Sequence, residues 1–241
     1  MSQLEGKTAV VTGGGSGMGL AIANAFAEAG AKTIIAGRRE SVLKEAADAN
    51  PSLLYRSLDV SDRDDVNAFF AWAEETLGQI DILVNSAGTN IKTRAMHEMT
   101  PDQWDQVMAI NATGAYNCMY AVLPAMRERK DGLIVNISSI AGKRASDLGG
   151  IVYCASKFAM TALGTAVGLE DASNGIRVTN IYPGEVDTPI LLNRKVVPDA
   201  EHRSKICQAE DVAHVVMSVV TLPPRAHVPE LIIKPTLQFY S

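Results

Sequence analysis

The sequence predicts an α/β fold, a doubly wound parallel sheet of about seven strands, in one domain spanning residues 1–241. Three observations lead there. Short β-branched apolar runs alternate with segments of helical period along the chain. The first run ends in a glycine-rich turn that leads straight into a helix. No composition shift, low-complexity tract or repeat marks a boundary, and one α/β domain commonly reaches this length. Strands that alternate with helices need crossover connections of one hand, which puts helices on both faces of the sheet.

Lys7 to Thr12 is the first strand and stops at Gly13. Met18, Ala21, Ile22, Ala25, Phe26 and Ala29 then recur at spacings of three and four, one face of a helix that Gly30 ends. Lys32 to Ala36 is a strand, and Glu40 to Ala49 a helix stopped by Asn50-Pro51. Leu53 to Val60 is a strand, followed by a helix to about Leu77 with Ser61 as its cap. Ile80 to Asn85 is the fourth strand. Thr100-Pro101-Asp102-Gln103 opens a helix running to about Lys130, with proline first and glutamine three after the cap. Gly132 to Ser138 and Ile176 to Tyr182 are strands flanking a long helix, Val152 to Ser173. A helix over Ala209 to Leu222 and a strand over Leu231 to Lys234 close the pattern. Thr89 to Met99 and Ile190 to Gln208 have no clear period. Each follows a strand's carboxyl end, where such sheets bind ligands, so both are candidate substrate loops, with 189–208 as a lid.

The composition excludes several function classes. With 22 Lys+Arg against 27 Asp+Glu the formal charge is -5, which argues against nucleic acid as the main partner. No apolar run approaches the roughly 20 residues that span a bilayer. Cys118, Cys154 and Cys207 are odd in number and far apart, which favours free thiols in a reducing compartment and a cytoplasmic location. The four histidines lack ligand spacing, and no metal site is assigned.

Thr12-Gly13-Gly14-Gly15-Ser16-Gly17-Met18-Gly19 fits T-G-x-x-x-G-x-G rather than G-x-G-x-x-G, since position 18 is Met. Glycines let the backbone approach a ligand, and the helix start presents free N–H groups to a pyrophosphate. The second strand ends Ala36-Gly37-Arg38-Arg39. A site for NAD usually carries an acidic residue there, whereas arginine suits a 2′-phosphate. NADP is therefore expected, with NAD possible. Arg38 is favoured for the phosphate, and Arg39 either joins it, pairs with Glu40 or lies in solvent.

Taken with these, further motifs make the chain similar to the short-chain dehydrogenase/reductase family over almost its whole length, which implies a Rossmann-like fold. Asp59-Val60 stands where the family places an Asp against adenine. Asn85-Ser86-Ala87-Gly88 resembles N-N-A-G with Ser as the second residue. Asn111 lies in Asn-Ala-Thr-Gly, and Ser138-Ser139 in the serine motif. Tyr153-Cys154-Ala155-Ser156-Lys157 is Y-x-x-x-K. Pro183-Gly184-Glu185-Val186-Asp187-Thr188 resembles P-G-x-V-x-T.

The resemblance implies a catalytic set of Asn111, Ser139, Tyr153 and Lys157. It also implies a cofactor set of Gly13, Gly15, Ser16, Gly17, Met18, Gly19, Arg38, Arg39, Asp59, Val60, Asn85, Ala87, Gly88, Tyr153, Lys157, Pro183, Gly184, Val186 and Thr188. The chemistry asks for such residues. A carbonyl reduced by hydride needs a proton at oxygen, and Tyr has an ordinary pKa of about 10. Lys157, four residues on, shares its helix face and is expected to lower that pKa. Ser139 would hydrogen-bond the substrate oxygen, and Asn111 would hold a water that relays protons to Lys157.

The family alignment alone selects Ser139 over Ser138. The spacing from Ser139 to Tyr153 (153 minus 139, or 14) is one more than in many members and places an insertion between Gly142 and Gly150. The substrate is expected to be a small, polar carbonyl or alcohol. Asn90, Lys92, Lys143, Arg144, Ser146, Asp147 and Glu185 border its pocket, and Arg194, Lys195, Arg203 and Lys205 lie in the following loop. The carboxyl-terminal segment from Pro229 to Thr236 resembles the branch containing 3-hydroxy acid and serine dehydrogenases. A homotetramer or homodimer is implied, and Ala155, Ala159, Ala162 and Gly164 suit either subunit packing or the core. A non-catalytic NADP sensor on the same fold is the alternative. An S-adenosylmethionine or nucleotide binder would leave Ser139, Tyr153 and Lys157 together unexplained.

Overall fold

In the computed structural model, which describes residues 3–238, seven parallel strands lie in the order β3-β2-β1-β4-β5-β6-β7. The strands are β1 (Thr8–Thr12), β2 (Lys32–Gly37), β3 (Leu53–Ser57), β4 (Ile82–Asn85), β5 (Gly132–Ile137), β6 (Ile176–Pro183) and β7 (Glu230–Ile233). The helices are α1 (Gly17–Glu28), α2 (Glu40–Ala49), α3 (Arg63–Leu77), α4 (Pro101–Met108), α5 (Gly114–Arg129), α6 (Ile151–Glu170), α7 (Ala200–Arg203) and α8 (Ala209–Val220). The order reverses between β1 and β4. Connections leave those strand ends in opposite directions, which opens a crevice there.

Successive strand residues feed opposite layers. Val11, Ile35 and Val135 pack with Ile22 and Phe26 of α1, Leu43 of α2 and Val216 of α8. Val10, Ile34 and Ile134 pack with Phe69 of α3, Met119 of α5 and Met160 of α6. A sheet buried on both faces needs apolar residues at every strand position, which is why these strands read as continuous runs rather than alternating ones.

Several boundaries differ from the sequence reading. β3 ends at Ser57 rather than Val60. Beyond it Asp59 closes a turn by accepting from the Ser61 backbone N–H and hydroxyl, at 3.0 and 2.6 Å. Ser61 therefore does not cap α3. Asp62 does, accepting from Asp64 and Asp65 N–H groups. The expected helix from Thr100 to Lys130 keeps its capping box but is interrupted by a π-helical turn, Ala109–Thr113. Ile190 to Gln208 holds a 3-10 turn, Pro189–Asn193, and the short α7.

The reading that no apolar run approaches a membrane span is also corrected. The 20 residues of α6 are long and apolar enough by composition to cross one. One face of α6 packs on β6 and carries the buried Ser156 and Lys157 toward the sheet. Gly164 is buried on the sheet-facing side of this helix, so it belongs to the core.

Candidate active site

The crevice at the reversal point is a cleft of about 720 Å³. Its floor is the turn from β1 into α1. Thr12 holds that turn against the next strand end, its hydroxyl accepting from Ser86 and Ala87 N–H groups at 3.2 Å each. Gly13 has φ +66°, and a Cβ there would lie 2.8 Å from Ala87 N. The two backbones can meet only because Gly13 has no side chain. The α1 N-terminus is left open: Ser16 makes no capping side-chain bond and the first turn has no acidic residue. Its N–H groups and positive dipole end thus face the cleft without an internal anion, which fits a pyrophosphate.

Gly13, Gly15, Ser16, Gly17, Met18, Gly19, Arg38, Arg39, Asp59, Val60, Ala87, Gly88, Tyr153, Lys157 and Thr188 all line this cleft. Gly37 ends β2 there with no side chain, and both arginines follow it. Asp59 feels opposing influences: burial raises its pKa, but the hydrogen bonds from Ser61 and the charge of Arg38 leave it below the ordinary value. Three expected cofactor residues, Pro183, Gly184 and Val186, line an adjoining cavity of about 270 Å³ instead. Asn85 lines neither. It lies in the sheet core and donates to Asn136 at 2.9 Å, and Asn136 donates to Asn180 at 3.0 Å.

Tyr153 stands at the seam, bordering both cleft and cavity. Lys157 lies one turn further along α6. It is 4% exposed, its Nζ donates to Ile137 O at 2.8 Å and stands 5.7 Å from the Tyr153 ring centre. Burial pulls the Lys157 pKa down to about 8. Burial likewise raises that of Tyr153. A hydrogen bond with Ser139 and the charges of Arg94 and Arg194 pull it the other way. The expectation that Lys157 lowers the Tyr153 pKa is therefore not met in the protein alone, where desolvation dominates both groups.

The adjacent serines have separate surroundings. Ser138 Oγ donates to Lys157 O at 3.1 Å and pairs with Thr161 Oγ1 at 3.2 Å, which ties β5 to α6. Ser139 Oγ accepts from Ala141 N–H and borders the smaller cavity. Asn111 is fully buried in the π turn. Its Oδ1 accepts from Thr89 N–H at 2.8 Å, and its Nδ2 donates to Thr89 O and Ser156 Oγ. The side chain is thus spent on holding the loop after β4 against α6.

The loop between Gly142 and Gly150 borders the smaller cavity with Arg144, Ser146 and Gly149, as the longer spacing implied. Asn90 and Glu185 are there as well. Lys143 is not: it pairs with Glu230. Lys195 pairs with Glu98, Arg203 with Asp187 and Lys205 with Glu201, all near the surface. Lys92 and Asp147 line neither space. Sequence reasoning missed Arg94, which lines the cavity. It lies in the aperiodic segment already marked as a substrate loop, and that was its only signal.

A nucleotide cleft at the switch point, joined to a small cavity across a Y-x-x-x-K tyrosine, defines a dinucleotide-dependent oxidoreductase of the doubly wound class. A family model for short chain dehydrogenases matches residues 7–196, and the chain belongs to that family. An uncharacterised oxidoreductase of Staphylococcus aureus strain MRSA252 is 34% identical over 237 residues, covering 98% of this chain and 100% of that protein. A serine dehydrogenase in its closed form with NADP+ superposes with a TM-score of 0.89 at 32% identity, covering 97% of both chains. The serine dehydrogenase of Escherichia coli does so with a TM-score of 0.84 at 31% identity, covering 97% of this chain and 100% of that one.

Proposed function

We propose that this oxidoreductase interconverts a carbonyl and an alcohol on a small polar substrate, with Tyr153 as acid/base and NADP(H) preferred over NAD(H). The observation that carries the reading is the position of Tyr153 in the wall shared by the two spaces, with Ser139 beside it and Lys157 behind it. The nicotinamide cofactor, when bound, supplies or accepts the hydride. In reduction the carbonyl carbon gains that hydride, Tyr153 gives its phenolic proton to the oxygen, and Ser139 donates a hydrogen bond to the oxygen as charge develops. Oxidation is the reverse.

The NADP preference is supported by Arg38 and Arg39 at the end of β2 and by the NADP+ complex of the similar serine dehydrogenase. Asp59 and Val60 would border the adenine. Pro183, Gly184, Val186 and Thr188 would border the nicotinamide end, and residues 189–208 would cover the substrate. The cavity of about 270 Å³ suits a small substrate, as does the likeness to proteins that act on serine. Exposed Tyr116 and Tyr120 on α5 and Phe158 and Leu169 on α6 support a homodimer or homotetramer.

Parallel fluorescence titrations with NADPH and NADH test the cofactor half. We expect NADPH to bind about tenfold tighter or more, in keeping with charge-assisted bonds to a 2′-phosphate; equal affinities overturn the preference. Tyr153→Phe should lower kcat by about a thousandfold with NADPH affinity nearly unchanged, the loss expected for a missing acid. Turnover retained by that variant overturns the assignment.

A further inference from the structure

Arg94, in the segment between β4 and α4, is anchored from three sides. Its Nε donates to Ile91 O at 3.0 Å, Nη2 to Asn193 O at 3.1 Å, and Nη1 to Leu148 O. These carbonyls belong to three separate segments around the smaller cavity. The start of α6 also makes room for it: Gly150 has φ +79°, and a Cβ there would run into the stem of Arg94.

All three partners are neutral. Among the described residues Arg94 has no carboxylate partner, and two of its five N–H donors, one on each terminal nitrogen, are uncommitted. The carboxylate that lines the cavity is Glu185. It already serves Arg194 at 3.1 Å and His202 at 2.8 Å. Among the described residues the wall sets Arg94 and Arg194 against that one negative charge. With Glu185 engaged by Arg194, Arg94 has no counter-charge among the described residues, and burial with the charge of Arg194 pushes its pKa down. Holding three loop carbonyls together needs only neutral donors. A partly desolvated guanidinium with spare donors costs stability unless an anion completes it.

We propose that Arg94 determines specificity by receiving the anionic group, carboxylate or phosphate, of a small hydroxy or oxo compound whose reacting carbon then faces Tyr153. This rests on the dehydrogenase reading above. In oxidation the substrate C–H bond breaks and its hydride passes to NADP+. The O–H proton passes to the Tyr153 phenolate and the C=O bond forms. The anionic group stays on Arg94 throughout, so it contributes orientation and is not consumed.

The test compares kcat/KM of wild type, Arg94→Gln and Arg94→Lys for a 3-hydroxy acid, its methyl ester and a hydroxyalkyl phosphate. Calorimetric binding of malonate and of inorganic phosphate to the NADP+-loaded protein is measured in parallel. We expect wild type to prefer an anionic substrate over the ester by about 100-fold, the worth of charge-assisted hydrogen bonds that the ester cannot make. That ratio should collapse toward 1 in Arg94→Gln and be partly restored in Arg94→Lys. Preference for the acid or for the phosphate identifies which anion is taken. Equal losses on acid and ester in Arg94→Gln, or no preference in wild type, overturn the proposal and leave Arg94 a loop anchor. If no compound turns over, the calorimetry decides: anion binding lost in Arg94→Gln supports the proposal, and no binding by wild type overturns it. Failure to bind NADPH would instead sink the dehydrogenase reading itself.

Discussion

At the residue scale, Lys157 pays for its position. Its buried ammonium has one carbonyl partner, Ile137 O, and its pKa falls from 10.5 to about 8. Between those values the unfolded chain binds more protons than the folded one, so stability rises with pH across the window. Below pH 8 the penalty is complete, about 3 kcal/mol for that gap. Urea unfolding of wild type and Lys157→Met at pH 7 to 10 should show the wild type gaining relative to the variant as pH rises. Parallel pH dependences would mean that Lys157 is not desolvated. The i, i+4 spacing made the Tyr153–Lys157 pair legible in sequence, because both lie on one helix face. The direction of their pKa shifts was not legible, since burial is set by distant strands.

At the element scale, α6 meets the sheet closely at Gly164. A Cβ there would collide with Asn180 Oδ1 and Asn136 Nδ2, members of the buried ladder that begins at Asn85. Gly164→Ala should cost about 2–4 kcal/mol from overpacking and a broken buried hydrogen bond. Gly168→Ala, one turn on, meets nothing nearer than Val178 Cβ at 3.4 Å and should be neutral or stabilising by up to about 1 kcal/mol. Thermal melts of the two variants settle the contrast, and equal effects would refute this account of the packing. The π turn at Ala109–Thr113 is a second case. Helical period and capping predicted one continuous helix. The local departure accompanies Asn111 bridging to Thr89 and Ser156, partners 22 and 45 residues away. π turns often occur at functional sites.

At the scale of the whole molecule, α5 and α6 carry exposed apolar side chains. Tyr116 and Tyr120 stack on α5 with ring centres 5.8 Å apart while remaining 40% and 66% exposed, and Phe158 and Leu169 are exposed on α6. Exposed apolar clusters of this kind mark contact surfaces. Light scattering should give a mass two or four times the 25.7 kDa chain, and Tyr120→Glu with Phe158→Glu should lower it. A wild-type species of 25.7 kDa would refute the assembly.

By itself the sequence determined the order and type of the strands and main helices, the glycine turn and the tyrosine–lysine pair. Each depends on period or short spacing, which act within one or two turns of chain. Tertiary structure decided the rest. It placed Asn85 in the core rather than the cleft, moved the cap of α3 from Ser61 to Asp62 and buried Lys157. It also drew Arg94 into the small cavity. These outcomes depend on which carbonyls, carboxylates and backbones arrive from remote segments, and no local pattern of residues encodes such partners.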